Sequence, residues 1–116
     1  MEPELPIVAF PDRAALREWL AQNHAHHAGV YVRIPKGGGA TDRGVSFQDL
    51  LEEGLCFGWS ESLRLPGDAR SYLQRFTPRR TRGTTSPRNR VLADRLTEQG
   101  LMTEAGLAAL GLRSPR

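Results

Sequence analysis

Cysteine and long apolar runs are both scarce in this sequence of 116 residues. The single cysteine, Cys56, has no partner for an internal disulfide bond, which favours a reducing compartment such as the cytoplasm. No run approaches the roughly 18 apolar residues of a membrane span, and residues 1–10 lack the basic and apolar regions of a signal peptide. We therefore expect a cytoplasmic protein without a membrane span.

Lysine is scarce as well, so the basic side chains are almost all arginine. One lysine, Lys36, accompanies fifteen arginines, and the formal net charge is +3. An arginine guanidinium binds phosphate and carboxylate through paired hydrogen bonds, although a GC-rich coding bias also produces this composition. A net charge of +3 does not by itself predict nucleic-acid binding.

Length and composition predict one globular domain spanning residues 1–116. Apolar residues at helical spacing follow Asp12, Ser46, Ser86 and Thr103, each of which is a favourable N-cap. The predicted helices run from Arg13 to Asn23, from Ser46 to Leu55, from Pro87 to Gln99 and from Thr103 to Leu110.

Alternation of apolar and polar side chains predicts three strands, from Val30 to Ile34, from Phe57 to Leu65 and from Arg70 to Thr77. The turn Pro66-Gly67-Asp68 joins the last two strands into an antiparallel hairpin. The segment from Leu5 to Phe10 is a candidate edge strand, where proline is tolerated. The predicted fold class is α+β: a small antiparallel sheet with a central hairpin, covered by about four helices.

The first hairpin strand carries an acidic residue on an otherwise apolar face. Strict alternation places Glu61 on the same face as Trp59 and Leu63, and it places Arg64 on the opposite face. A buried, unpaired carboxylate is costly, so Glu61 is expected either at the sheet rim or beside an arginine.

The densest positive charge follows the second hairpin strand. Arg79, Arg80, Arg82 and Arg88 flank the segment in which Ser86 caps the third helix. A helix start presents unpaired N–H groups and a positive dipole end, so it attracts anions. We predict a site here for a phosphate, a carboxylate or a nucleic-acid backbone. The alternative is that Ser86 only caps the helix, while the arginines pair with carboxylates or water.

A second hypothesis is an enzyme pocket beside Trp59. In this hypothesis Cys56 is a nucleophile with His24 as its base, and Glu61 exchanges protons. The alternative is that Cys56 belongs to the apolar face of its helix, and that Trp59 and Phe76 are core aromatics.

A third hypothesis is an interaction protein whose basic face binds a protein or a nucleic acid. Tyr72 and Phe76 are aromatic side chains of the kind that stack on single-stranded bases, but the sequence shows no RNA-recognition, helix-turn-helix or zinc-finger signature.

His24, His26 and His27 lack a nearby cysteine or acidic partner, which favours solvated imidazoles over zinc ligands. Neither a metal nor a cofactor is predicted.

Several segments together resemble the YdeI/OmpD-associated family of small bacterial proteins. The most specific are LCFGW at residues 55–59 and QRFTPRR at residues 74–80, and shorter matches include Asn89 and residues 100–107. The resemblance implies a role in bacteriocin or envelope-stress protection, and it implies no settled catalytic activity.

This sequence departs from the pattern of that family at two positions. Glu61 stands where the family has aspartate, and Thr85 stands where the family has a tryptophan, which puts an aromatic stacking wall in doubt. The predicted function is non-enzymatic binding of an anionic ligand or partner. The predicted ligand-binding residues are Trp59, Glu61, Phe76, Arg79, Arg80, Ser86 and Asn89.

Overall fold

The structure, a computed structural model, describes residues 5–36, 44–79 and 86–111. These segments contain four helices and four strands, and the predicted α+β fold is confirmed. In chain order the elements are β1 Ile7–Val8, α1 Arg13–Asn23, β2 Val30–Pro35, α2 Phe47–Phe57, β3 Trp59–Pro66, β4 Ser71–Pro78, α3 Pro87–Glu98 and α4 Glu104–Leu110.

The strands form one sheet in the order β1-β2-β4-β3. β4 pairs antiparallel with both β2 and β3, as the predicted hairpin requires. β1 pairs parallel with β2, because α1 serves as the crossover between them, so the sheet is mixed rather than purely antiparallel. β3 is consequently an edge strand, and of the two hairpin strands only β4 is interior.

The predicted N-caps all begin helices in the structure. Asp12, Ser46, Ser86 and Thr103 each accept a hydrogen bond from the backbone N–H three residues further on. Asp49 also accepts a hydrogen bond from the backbone N–H of Ser46, which completes a capping box at the start of α2.

The C-terminus of α2 differs from the prediction. Gly58 adopts the left-handed conformation, with φ of 79°, and caps the helix there. This conformation suits a residue without a Cβ. Gly58 therefore ends the helix, and the chain turns into β3 directly after it. Phe57 is therefore the last residue of α2, and its assignment to the first hairpin strand was wrong.

α2 packs closely on the sheet through Gly54. A Cβ at Gly54 would lie 3.0 Å from the Phe76 ring and 3.0 Å from the carbonyl oxygen of Trp59. The face of the sheet that carries Phe76 is therefore the face that α2 covers, and α1, α3 and α4 pack against α2. The largest fully buried apolar side chains include Trp59, Phe76, Leu16, Leu20, Ile34, Leu50, Leu55, Leu96 and Leu110.

A β-bulge interrupts β3 between Glu61 and Arg64. Glu61 pairs with Phe76 and Arg64 pairs with Gln74, so both side chains lie on the face that α2 covers. A bulge adds a residue to one strand and shifts the alternation, so the prediction that Arg64 faces away from Glu61 was wrong. Leu63, which was expected on the core face, lies in the bulge and is 50% exposed.

A buried carboxylate connects α1 and α2. Arg13 Nε donates to Glu53 Oε2 at 2.7 Å, and Arg17 Nη1 donates to Glu53 Oε1 at 2.9 Å. Arg17 Nη2 also donates to the carbonyl oxygen of Leu101 at 2.7 Å. Both oxygens of Glu53 are thereby satisfied, as a buried charge requires.

Within the described segments, no helix combines the length and the hydropathy needed to span a bilayer.

Candidate functional site

The structure places two predicted ligand-binding residues in the core. Trp59 is 1% exposed and Phe76 is fully buried, and their ring centroids lie 5.1 Å apart. The ring of Trp19 meets Trp59 edge-on at 5.6 Å, and Trp59 Nε1 donates to the carbonyl oxygen of His24 at 3.2 Å. These contacts agree with the alternative that both rings are core aromatics. A ligand would have to displace core side chains to reach either ring.

Glu61 and Arg79 lie on the rim of the same hairpin. Glu61 is half-buried on the edge strand β3, and its Oε2 is buried without a hydrogen-bond partner among the described residues. Arg79 donates its backbone N–H to the carbonyl oxygen of Gly58 at 2.9 Å. Its Nε is also buried and unpartnered within the described part of the chain.

The predicted anion site at the start of α3 is described only in part. Ser86 is exposed and accepts a hydrogen bond from the backbone N–H of Asn89 at 3.1 Å. Asn89 and Arg88 line a shallow groove of about 340 Å³ between α2 and α3. Arg80, together with residues 81–85, lies outside the described residues. The anion site at this position therefore stays a prediction.

The proposed nucleophile of the enzyme hypothesis lies in the core. Cys56 is fully buried, and burial, followed by the negative charge of Glu53, raises the pKa of its thiol. His24 Nδ1 lies 2.8 Å from the carbonyl oxygen of Leu20, so this nitrogen carries the proton and donates it. A buried thiol with a raised pKa is a poor nucleophile. Among the described residues, no group of three or more His, Cys, Asp or Glu side chains is placed so that it could hold a metal ion.

A cleft of about 770 Å³ opens beside the turn of the β3–β4 hairpin, at the N-terminus of α2. This volume is within the range of roughly 300–1,000 Å³ that is typical of small-molecule sites. We call it the hairpin cleft. Its apolar lining consists of Ile34, Pro35, Phe47, Leu65, Pro66 and Tyr72. Its polar lining consists of Lys36, Ser46 and Arg64.

Arg64 is the central polar group of the hairpin cleft. Its guanidinium carbon lies 4.0 Å from the centroid of the Tyr72 ring and 6.0 Å from that of Phe47. Arg64 Nη2 also donates to the Tyr72 hydroxyl at 3.3 Å. The aromatic rings hold the guanidinium by cation–π attraction and leave its other N–H groups available to a ligand.

Lys36 adds positive potential to the hairpin cleft. Lys36 Nζ donates to the carbonyl oxygen of Asp68 at 3.3 Å. No ion pair to Lys36 or Arg64 is present among the described residues. The N-cap Ser46 lies in the cleft wall, where the carboxylate of Asp49 accepts its backbone N–H and offsets the positive end of the α2 dipole. Two cations, Lys36 and Arg64, therefore lie around an apolar cavity.

The carboxylate of Asp68 shapes the turn beside the cleft. Its carboxylate accepts hydrogen bonds from the backbone N–H groups of Arg70 and Ser71 and from the Ser71 hydroxyl. The bond from the Arg70 backbone, followed by that from the Ser71 hydroxyl, holds the pKa of Asp68 below its ordinary value. Asp68 also lies 3.6 Å from Arg33, which is not part of the cleft lining.

Sequence reasoning missed the hairpin cleft because its key residue was assigned to the wrong face. Arg64 reaches the cleft only because the bulge in β3 turns its side chain toward Tyr72. Alternation gives no signal of a bulge, since bulges depend on pairing rather than on composition. The clustering of Phe47 with Tyr72 also depends on how α2 sits on the sheet.

A protein-family model described as Domain of unknown function (DUF8412) matches residues 8–109. Neither the curated proteins nor the solved structures gave a significant match. The matched range includes both the hairpin cleft and the predicted anion site at Ser86, so the match does not favour one over the other.

Proposed function

The chain belongs to the family Domain of unknown function (DUF8412), and we propose that it binds a small anionic ligand with an apolar or aromatic body in the hairpin cleft. The observation that carries this proposal is the guanidinium of Arg64, which lies 4.0 Å from the Tyr72 ring centroid in an apolar cavity. The proposed activity is binding, and no reaction is assigned to the cleft.

The charge around the cleft supports an anionic ligand. A guanidinium donates paired hydrogen bonds to a carboxylate or a phosphate, and stacking on Tyr72 reduces the entropy lost when Arg64 binds. Lys36 adds positive potential from another side of the cavity. The negative group of the ligand is therefore expected next to Arg64.

The apolar walls support a ligand with a flat, apolar body. Phe47 and Tyr72 present aromatic rings to the cavity, and Ile34 and Leu65 complete the walls. Burial of apolar area contributes roughly 25 cal/mol per Å², so an inorganic anion alone uses little of this site. The preferred ligand combines a ring with a carboxylate or phosphate.

The first experiment is a thermal-shift comparison of three probes at about 10 mM. 3-Phenylpropionate joins a ring to a carboxylate, acetate supplies the carboxylate alone, and benzyl alcohol supplies the ring alone. At about 0.3 kcal/mol or more per non-hydrogen atom, 3-phenylpropionate binds with a Kd of the order of millimolar. We expect it to raise the Tm by roughly 2 °C or more.

Acetate and benzyl alcohol are the matched controls for that comparison. We expect each to shift the Tm by less than half as much as 3-phenylpropionate, because each engages only one part of the site. Equal shifts with all three probes, or no shift with any of them, would contradict the proposed function.

The predicted anion site at the start of α3 is the second candidate. Arg79 supports it, because its Nε is buried without a partner among the described residues and Arg79 precedes the Ser86 helix start by only seven residues in sequence.

We also propose, from the resemblance to the YdeI/OmpD-associated family alone, a cytoplasmic role in bacteriocin or envelope-stress protection. No residue of the hairpin cleft bears on that role.

A further inference from the structure

The outer face of the sheet, opposite the face that α2 covers, carries apolar side chains from all four strands. They are Ile7 of β1, Tyr31 of β2, Leu73 of β4 and Leu65 of β3, and we call them the outer stripe. The outer stripe lines a groove of about 580 Å³. Among the described residues, none of the four belongs to the hydrophobic core or packs against it.

Strand pairing makes the outer stripe continuous. Ile7 pairs with Tyr31, and Leu73 pairs with Leu65. Tyr31 and Leu73 are diagonal neighbours on β2 and β4, a separation that an aromatic side chain bridges. Three inter-strand spacings of about 4.8 Å and a shift of two residues give a length of roughly 16 Å. This length matches about three turns of an α-helix.

An arginine lies on each side of the outer stripe. Tyr31 pairs with Arg75 and Arg33 pairs with Leu73, so the two arginines occupy the other diagonal of the same four positions. Within the four described strands, no aspartate or glutamate occupies a position on the outer face. The apolar stripe is therefore flanked by positive charge alone.

Both arginines already interact within the chain. Arg33 Nη1 donates to Ser71 Oγ at 3.0 Å and lies 3.6 Å from Asp68 Oδ2. The side chains of Arg33 and Asp68 are 38% and 64% exposed, so water screens this ion pair and a second carboxylate can compete for it. Arg75 is half-buried on the interior strand and also has an interaction within the chain.

We propose that the outer stripe docks an amphipathic helix of a partner protein, and that acidic residues flank the apolar face of that helix. A helix of this kind buries its apolar face in a hydrophobic groove, and its carboxylates meet Arg33 and Arg75 on either side. The inference is independent of ligand binding in the hairpin cleft. Leu65 lines both sites, so it is left unchanged in the test.

Two other occupants fit the outer stripe less well. A single-stranded nucleic acid binds largely by stacking its bases on aromatic rings, and Tyr31 is the only aromatic side chain of the four. A second copy of the chain in a two-fold dimer would bring the same arginines together, and juxtaposed like charges are unfavourable.

The test compares two designed helical peptides of about 14 residues that differ only in the charge of their flanks. Both carry leucine at i, i+3, i+4 and i+7 on an alanine background. One has glutamate on both sides of the leucines, and the other has lysine at the same positions. We expect fluorescence anisotropy to give a Kd of the order of 100 µM for the glutamate peptide, because a short helix must fold as it binds. We expect the lysine peptide to bind at least about tenfold more weakly.

Ile7→Ser removes one end of the outer stripe, and Val91→Ser is its matched control. Ile7 is 54% exposed on β1 and Val91 is 61% exposed on α3, so neither replacement disturbs the core. We expect Ile7→Ser to weaken the glutamate peptide about fivefold and Val91→Ser to leave its Kd within about 1.5-fold of wild type.

Arg75→Glu reverses one flanking charge. We expect this variant to bind the glutamate peptide about fivefold more weakly and the lysine peptide more tightly, a reversal that partial unfolding does not produce. Equal binding of the two peptides by the wild-type protein, or no binding of either, would overturn the proposal. It is also overturned if Ile7→Ser and Arg75→Glu both leave the affinities unchanged, or if oligothymidylate binds more tightly than the glutamate peptide and loses affinity in Ile7→Ser.

Discussion

Replacing Glu53 with alanine is expected to lower the free energy of unfolding by about 3 kcal/mol. Glu53 is 1% exposed, and its two carboxylate oxygens accept hydrogen bonds from Arg13 and Arg17. Removing one member of a buried pair costs roughly 3–5 kcal/mol, because the remaining charge loses its partner. The two arginines are 33% and 31% exposed, so solvent recovers part of that loss and we expect the lower end of the range.

Glu52→Ala is the matched control for this prediction. Glu52 accepts a hydrogen bond from the same arginine, Arg13 Nη1, at 2.7 Å, but its side chain is 19% exposed, and the described residues show no hydrogen bond or ion pair between Glu52 and Arg17. We expect a loss of less than about 1 kcal/mol for Glu52→Ala. Urea unfolding followed by circular dichroism gives both values. Equal losses in the two variants would show that the burial of Glu53 contributes nothing to stability.

Replacing Arg64 with alanine is expected to weaken the binding of 3-phenylpropionate about 20-fold. A hydrogen bond between charged groups contributes roughly 1.5–3 kcal/mol, and we take a value near 1.8 because Arg64 is exposed to solvent. The thermal shift at about 10 mM probe is then expected to fall below about 0.5 °C. Arg64→Lys retains the charge without the planar fork, so we expect an intermediate loss.

Arg90→Ala is the matched control for the Arg64 prediction. Arg90 is exposed on α3 and is not part of the hairpin cleft lining. Its replacement by alanine removes the same formal charge as Arg64→Ala. We expect binding in Arg90→Ala to remain within about twofold of wild type, since screened surface charges act weakly at a distance. If both variants lose affinity equally, the effect is due to net charge and the guanidinium of Arg64 is not the anchor.

The start of each helix and the position of the hairpin could be predicted from the sequence because both depend on local chemistry. Asp12, Ser46, Ser86 and Thr103 begin helices because their side chains accept a backbone N–H that the helix leaves unpaired. The turn after Pro66 follows from the backbone preferences of its residues. None of these features requires knowledge of distant contacts.

The candidate site could not be predicted in the same way because it depends on pairing between distant segments. The bulge in β3 places Arg64 over Tyr72, and the packing of α2 through Gly54 brings Phe47 to the same cavity. The sequence indicated that Glu61 would lie at a rim or beside an arginine, and the structure places it half-buried on the edge strand with one carboxylate oxygen buried and unpaired among the described residues. It did not indicate that Glu61 and Arg64 share a face.

The aromatic residues illustrate the same limit. Trp59 and Phe76 were predicted to contact a ligand because aromatic side chains occur in both cores and binding sites. Their burial in contact with each other favours the core alternative. The aromatic side chains at the hairpin cleft, Phe47 and Tyr72, are only half-buried. Sequence patterns did not separate the two groups, because burial depends on which face the helices cover.

The most direct test of the hairpin cleft is a titration of the ¹⁵N-labelled protein with 3-phenylpropionate, followed by two-dimensional amide NMR. If the ligand binds in the hairpin cleft, the largest saturable shift changes belong to the amides of Phe47, Leu65 and Tyr72, which line the cleft. Changes confined to Arg79 and residues 86–89 would instead assign the anion site to the start of α3. The absence of any saturable change would contradict ligand binding by this chain at either place.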